Sequence, residues 1–282
     1  MTARDGDRGT PLAPSESGRA GAAGPEAIAA AFAGNGRRAA LMPYMMGGFP
    51  DVETSRRIAE AYADGGADLV ELGVPFSDPL ADGPVIHAAG TIALRAGATT
   101  HEVLAIGRAL AERVPVVAMV YANLVIARGP ERFVDDLAAH GVAGLIVPDL
   151  PLEESDLVLA ACEATGLALV PLVAPTTPDE RMARIGARAS GFLYAVSVTG
   201  TTGERATVSE AVAAIVGRAK ACTDVPVALG FGIGTPEQAR EAADAGADGV
   251  IVGSRLVRAA AEAQDPPAAV HALVSQFAQA LR

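Results

Sequence analysis

Eight short, continuously apolar runs recur along the chain, each separated from the next by a longer amphipathic stretch. They are LMPYMM (41–46), DLVELG (68–73), PVVAMVY (115–121), GLIVPD (144–149), LALVPLV (167–173), FLYAVS (192–197), PVALGF (226–231) and DGVIVG (248–253). Because they are not alternately polar, they suit strands buried on both faces, as in a parallel sheet covered by helices. The intervening segments 51–64, 101–112, 131–140, 153–165, 178–188, 207–221 and 235–245 read as crossover helices. DGGADLVELG, HGVAGLIVPD and DAGADGVIVG each put a glycine at the end of a helix just before a strand, where a left-handed cap is needed. Eight βα units are the count of a closed (β/α)8 TIM barrel, an α/β fold; an open doubly wound sheet is the other arrangement with this pattern.

The 282 residues accommodate one such barrel of about 250 residues and a tail. Residues 1–24, rich in Gly, Ala, Ser, Pro and charge, bury too little to offset their ordering entropy and are expected to be a disordered tail. Residues 25–282 are expected to form a single barrel domain.

A formal charge of −11 and the absence of any basic run argue against nucleic acid as a partner. No stretch reaches about 18 uninterrupted apolar residues, so no membrane span is expected, and the N-terminus lacks an apolar signal core. Cys162 and Cys222 lack the spacing of a disulfide framework or zinc site. These features point to a reducing cytoplasm. The four histidines, His87, His101, His140 and His271, share no motif, and no metal site is expected.

In a barrel, chemistry sits at the C-terminal ends of the strands. The segment ELGVPFSDPLADGPVIHAAG follows the second run and places Glu71, Asp78 and Asp82 together. Asp78, before Pro79, reads as a turn residue. Glu71, flanked by Leu69, Val70 and Leu72, sits where burial raises a carboxyl pKa and permits proton delivery near neutral pH. Asp82 lies on a proline-stiffened loop that can close over a ligand. Tyr121 and Tyr194 lie near strand ends, with core packing and a hydroxyl turned into the pocket as the two readings.

VSVTGTTGERA, GFGIGTPEQA and VGSRL follow the sixth, seventh and eighth runs, and two of them open helices. Exposed backbone N–H groups there make a phosphate cradle, with glycine turns as the bland alternative. Lys220, the sole lysine, lies late in a helix rather than at a strand end, which argues against imine chemistry. GGFP and GFGIG lack the spacing of a dinucleotide fingerprint.

ELGVPFSDPLADGPVI closely resembles the signature of the tryptophan synthase α-subunit family. The agreement continues through VYANLV, VPDLPLEES, YAVSVTGTTG, GFGIGTPEQA and GADGVIVGS. The resemblance implies a barrel that cleaves indole-3-glycerol phosphate to indole and glyceraldehyde 3-phosphate in tryptophan biosynthesis. It implies no cofactor in this chain, and a pyridoxal-phosphate-dependent β subunit as partner in an α2β2 heterotetramer. By position, Glu71 matches the family's catalytic glutamate and Asp82 the aspartate at the indole nitrogen. Gly203, Gly232, Gly253 and Ser254 match phosphate-binding positions, with Phe231 nearby. Tyr194 matches an active-site tyrosine, and the loop around Thr202 would be a mobile lid. The chain departs from the family in MMGGFPD, where many relatives carry Asp before the proline, and in SVTGTTG, where SxxGVTG is usual. A free-standing lyase and a non-catalytic phosphate-binding barrel that activates a partner are the alternative functions.

Overall fold

The computed structural model describes residues 24–196, 208–230 and 232–282. Nine parallel strand segments form one sheet: β1 (Ala40–Met46), β2 (Val70–Gly73), β3 (Val116–Met119), β4 (Gly144–Ile146), β5 (Ala168–Val170), β6 (Leu172–Val173), β7 (Leu193–Val196), β8 (Val227–Gly230) and β9 (Gly249–Val252). Their order is β5-β4-β3-β2-β1-β9-β8-β7-β6. The two ends of that order are consecutive in the chain. β5 and β6 are halves of one stave interrupted at Pro171, which has no N–H to donate to a ladder. The Pro171 carbonyl still accepts from the Tyr194 N–H at 3.0 Å. Eight staves therefore close into the (β/α)8 barrel, and the open doubly wound sheet is excluded.

The expected crossovers are present as the helices Val52–Asp64, Thr100–Ala111, Pro130–Ala139, Asp156–Thr165, Asp179–Gly186, Val208–Lys220 and Pro236–Asp244. Gly66, Gly141 and Gly246, the glycines of the three repeated motifs, have φ of +96°, +72° and +96°, the left-handed region that ends a helix without a Cβ penalty. Among the described residues, besides the helix Gly24–Ala33, four helices lie outside the crossover set that periodicity predicts: Pro84–Arg95, Ala122–Arg128, Ser254–Glu262 and Pro266–Ala280.

Alternation along each strand divides the core in two. Inward residues Ala40, Met42, Leu69, Val117, Ile146, Ala168, Val170, Ala228 and Ile251 fill the barrel. Outward residues such as Val70, Leu72 and Val116 pack under the helices. The helix Gly24–Ala33 closes the N-terminal end of the barrel with a fully buried Ile28. Phe32 lies beside it, 5.7 Å from the Phe192 ring. Gly24, the last residue of the expected tail, belongs to this helix, and its N–H donates to the Gly166 carbonyl. The rest of the expected tail, residues 1–23, lies outside the described residues.

Lys220 donates to the Gly246 carbonyl and to Asp248, both ahead of β9 and so at the end of the barrel opposite the strand C-termini. Among the described residues no cluster of His, Cys, Asp or Glu is arranged to hold a metal, and no helix is long and apolar enough to cross a membrane.

Candidate active site

At the C-terminal mouth of the barrel lies a cavity of about 290 Å³. Glu71, Asp82, Tyr194, Gly232, Gly253 and Ser254 all line it. Six of the sequence-predicted positions are thus brought together from four different staves and the loops that follow them. Thr202, Gly203 and Phe231, with the expected lid, lie outside the described residues.

Glu71 occupies an inward position of β2, with outward Val70 and Leu72 on either side. It is 1% exposed, and among the described residues neither carboxyl oxygen has a hydrogen-bond partner. Burial, and then the charge of Asp82, push its pKa from 4.5 up to about 8. A carboxyl in this state is protonated at neutral pH and can give up its proton without first breaking a hydrogen bond.

Asp82 is held differently. The Tyr121 hydroxyl donates to its Oδ1 at 2.9 Å and accepts from the Ala81 N–H at 3.1 Å. Phe76 stacks on the Tyr121 ring at 5.4 Å, so one tyrosine fixes three points of the loop after β2. Burial raises the Asp82 pKa, while the Tyr121 bond and the neighbouring His87 act to lower it. Tyr121 is buried and does not line the cavity; its hydroxyl is turned to Asp82 and not into the pocket, so it serves the site by positioning that carboxylate. Asp78 is exposed and accepts from Ser77, as a turn residue should.

Sequence reasoning missed Tyr44, the register partner of Glu71 across β1 and β2. Both tyrosine rings of the cavity occupy slots made by absent side chains. A Cβ on Gly73 would overlap the Tyr44 hydroxyl oxygen, and one on Gly230 would overlap that of Tyr194. Burial holds both phenols well above their ordinary pKa, and nearby Glu71 adds to this in each case, so both are neutral. Apolar Ile86, Met119 and Ile251 also line the cavity, which so combines apolar wall with the two carboxyl groups.

The glycine loops differ from one another. Thr235 and Gln238 form a capping box at the start of the helix Pro236–Asp244. The Gln238 side chain also accepts from the Gly234 and Thr235 N–H groups at 2.7 and 3.1 Å. That helix start is already satisfied, so the expectation that both loops offer free helix termini is corrected for the GFGIG loop. The helix Ser254–Glu262 has no side-chain cap, because its N-cap is Gly253. Its Leu256 and Val257 N–H groups close onto the Gly253 carbonyl. The preceding amides, of Ser254 and Arg255, have no partner within the helix and belong to cavity-lining residues. They carry the positive end of the helix dipole.

The sequence profile of the tryptophan synthase alpha chain matches residues 31–282. A tryptophan synthase alpha chain from Prochlorococcus marinus is 51% identical over 228 residues, 80% of this chain and 83% of that protein. Its counterpart from Methanosarcina mazei is 48% identical over 229 residues, 81% of this chain and 84% of that one. Among solved structures, a chain of Mycobacterium tuberculosis tryptophan synthase superposes with a TM-score of 0.83 at 40% identity, covering 90% of this chain and 98% of that one. The alpha chain from Legionella pneumophila gives a TM-score of 0.82 at 35% identity, with 93% and 98% covered.

Proposed function

The chain belongs to the tryptophan synthase alpha chain family and is an indole-3-glycerol-phosphate lyase of tryptophan biosynthesis, and we propose that Glu71 and Asp82 carry its chemistry. The observation that supports this assignment is the Glu71 carboxyl, buried, without a hydrogen-bond partner among the described residues and held protonated at neutral pH beside a cavity with apolar walls.

Indole is attacked by protons at C3, and the ring nitrogen supplies the electrons. Neutral Glu71 delivers its proton to C3, which leaves a cationic ring and a glutamate anion. Asp82, an anion fixed by Tyr121, accepts the indole N–H and stabilises the charge growing there. Glutamate then takes the proton of the side-chain hydroxyl on the carbon bonded to C3. As that hydroxyl becomes the aldehyde of glyceraldehyde 3-phosphate, the carbon–carbon bond breaks, its electron pair returns to the ring, and indole leaves. Glu71 ends protonated, so the cycle closes without an external acid or base. Its raised pKa serves both halves, because the neutral form is the resting state and the anion a base stronger than an ordinary carboxylate.

The phosphate we place at Gly253 and Ser254, against the uncapped amides of the following helix, with the loop at Gly232 facing it. Thr202, Gly203 and Phe231 join this group on sequence resemblance. Tyr194 and Tyr44 flank the ring.

The family implies a β-subunit partner. We propose further that the assembly is an α2β2 heterotetramer in the cytoplasm, that this chain needs no cofactor of its own, and that the pyridoxal phosphate belongs to the β subunit. Release of indole from indole-3-glycerol phosphate tests the site. Glu71→Gln and Asp82→Asn should each lose it while retaining the native circular dichroism spectrum. Full turnover by the Glu71 variant would defeat the assignment.

A further inference from the structure

An anionic substrate faces two obstacles here. The chain carries a formal charge of −11, and the cavity holds two carboxyl groups, Glu71 and Asp82, one of which must be ionised during turnover. Backbone amides at one helix start act over short range only.

The described lining of the cavity contains two cations, Arg255 and Arg258. They lie three residues apart on the helix Ser254–Glu262, the helix whose uncapped start faces the phosphate end, and i, i+3 spacing puts them on one side of it. Both are exposed. Many of the chain's arginines are paired with carboxylates, Arg37 with Asp68 and Arg113 with Asp64 among them. Arg255 and Arg258 have no such partner among the described residues. Two guanidinium groups without a carboxylate partner among the described residues, lining a cavity that also holds two carboxyl groups, complement a doubly charged phosphate.

We propose that Arg255 and Arg258 are substrate-binding residues that draw the phosphoryl end of the substrate to the mouth of the cavity and hold it there, in addition to the backbone amides. This rests on the lyase reading above and adds the source of the charge that the amides and the net charge of the chain do not supply. Guanidinium suits the task because its planar fork can meet two phosphate oxygens at once and stays charged at every working pH. Since both groups reach the phosphate rather than the indole, they bind substrate and transition state alike. Their loss should therefore raise KM and spare kcat.

The test uses the full-length chain with Arg255→Gln, Arg258→Gln and the double variant. Each single change is expected to raise the KM for indole-3-glycerol phosphate about fivefold and the pair about twentyfold, the range of a solvent-exposed charge pair. kcat should stay within about twofold, and the fall of kcat/KM with added salt should flatten. Turnover of indoleglycerol, which lacks the phosphate, should be unchanged, and lysine at both positions should restore part of the loss. Calorimetric titration with glycerol 3-phosphate reads the same binding without turnover and should weaken in parallel. An unchanged KM and salt dependence in the double variant overturns the inference while leaving the lyase reading intact. Equal losses with and without the phosphate overturn it too, since they indicate a packing role. A native chain that binds glycerol 3-phosphate through these arginines but releases no indole would instead sink the lyase reading alone.

Discussion

Glu71→Gln should make the protein more resistant to unfolding in base, and the size of the effect follows from burial. The folded carboxyl titrates at about 8, against an ordinary value of 4.5. Between those limits the native state keeps a proton that the unfolded chain has released, so each pH unit weakens the wild-type fold by about 1.4 kcal/mol. The raised native pKa fixes the sign: the contribution is fully present below 4.5 and is lost as pH rises to about 8. From pH 6 to pH 9 the loss amounts to about 3 kcal/mol. The amide of the variant has the same shape as the carboxyl and no titration, and every other carboxylate is common to both proteins. Urea unfolding of the two proteins at half-unit pH intervals should give curves that converge toward acid and separate by that amount in base. In the same range the wild-type kcat should fall as pH passes about 8, because the proton donor is being lost. Stability curves that run parallel from pH 6 to pH 9 would refute the reading of Glu71 as a carboxyl kept neutral by its surroundings.

Tyr121→Phe removes the hydroxyl that donates to Asp82 and accepts from Ala81. It should cost about 1 kcal/mol of stability and about tenfold in kcat/KM, by freeing the carboxylate that stabilises the ring charge; steady-state indole release checks it, and unaltered kinetics would show that Asp82 needs no support. Gly73→Ala forces a methyl group into the Tyr44 hydroxyl. It should destabilise the barrel by about 1–3 kcal/mol and push that ring into the cavity, raising KM more than a remote change of equal stability cost. Thermal melts combined with KM values separate the two effects.

The barrel was legible because strands buried on both faces cannot hide. Each of the eight apolar runs contains a stave, and the crossovers lie within a few residues of their expected bounds. What periodicity missed has specific causes. LALVPLV reads as one strand although Pro171 splits it, because the run is apolar on either side of a residue that removes only one donor. The helix Pro84–Arg95 hides behind a proline that looks like loop and is in fact the first helical residue. In GFGIGTPEQ the pattern Thr235 to Gln238 is a readable capping box, and it takes the amides that a glycine loop alone leaves for an anion. Glu71 and Asp82 could be singled out by position and resemblance. Tyr44 could not, since its place beside Glu71 depends on a register between β1 and β2 that neither strand encodes by itself.

That register also explains why the acid is at 71 and nowhere else on β2. At 69 the inward side chain is Leu, fully buried in the inner cluster that also holds Ala40, Met42 and Ile28, and it does not line the cavity. At 70 and 72 the side chains face outward, and Leu72 reaches the helix Thr100–Ala111 at Gly107. At 73 the Tyr44 ring excludes any side chain. Position 71 alone is both inward and open to the cavity, so a carboxyl there is stripped of water by the barrel beneath it yet faces the substrate above. The neighbours that could have neutralised it work the other way. Tyr44 and Tyr194 are buried neutral phenols, and the charge that acts on Glu71 is that of Asp82, which raises its pKa further. A single basic or amide side chain turned toward Glu71 would recover several kcal/mol of the burial penalty and stabilise the fold. It would also leave the group an ordinary ionised carboxylate with no proton to give, so the strain on the fold and the acidity of the site are the same quantity.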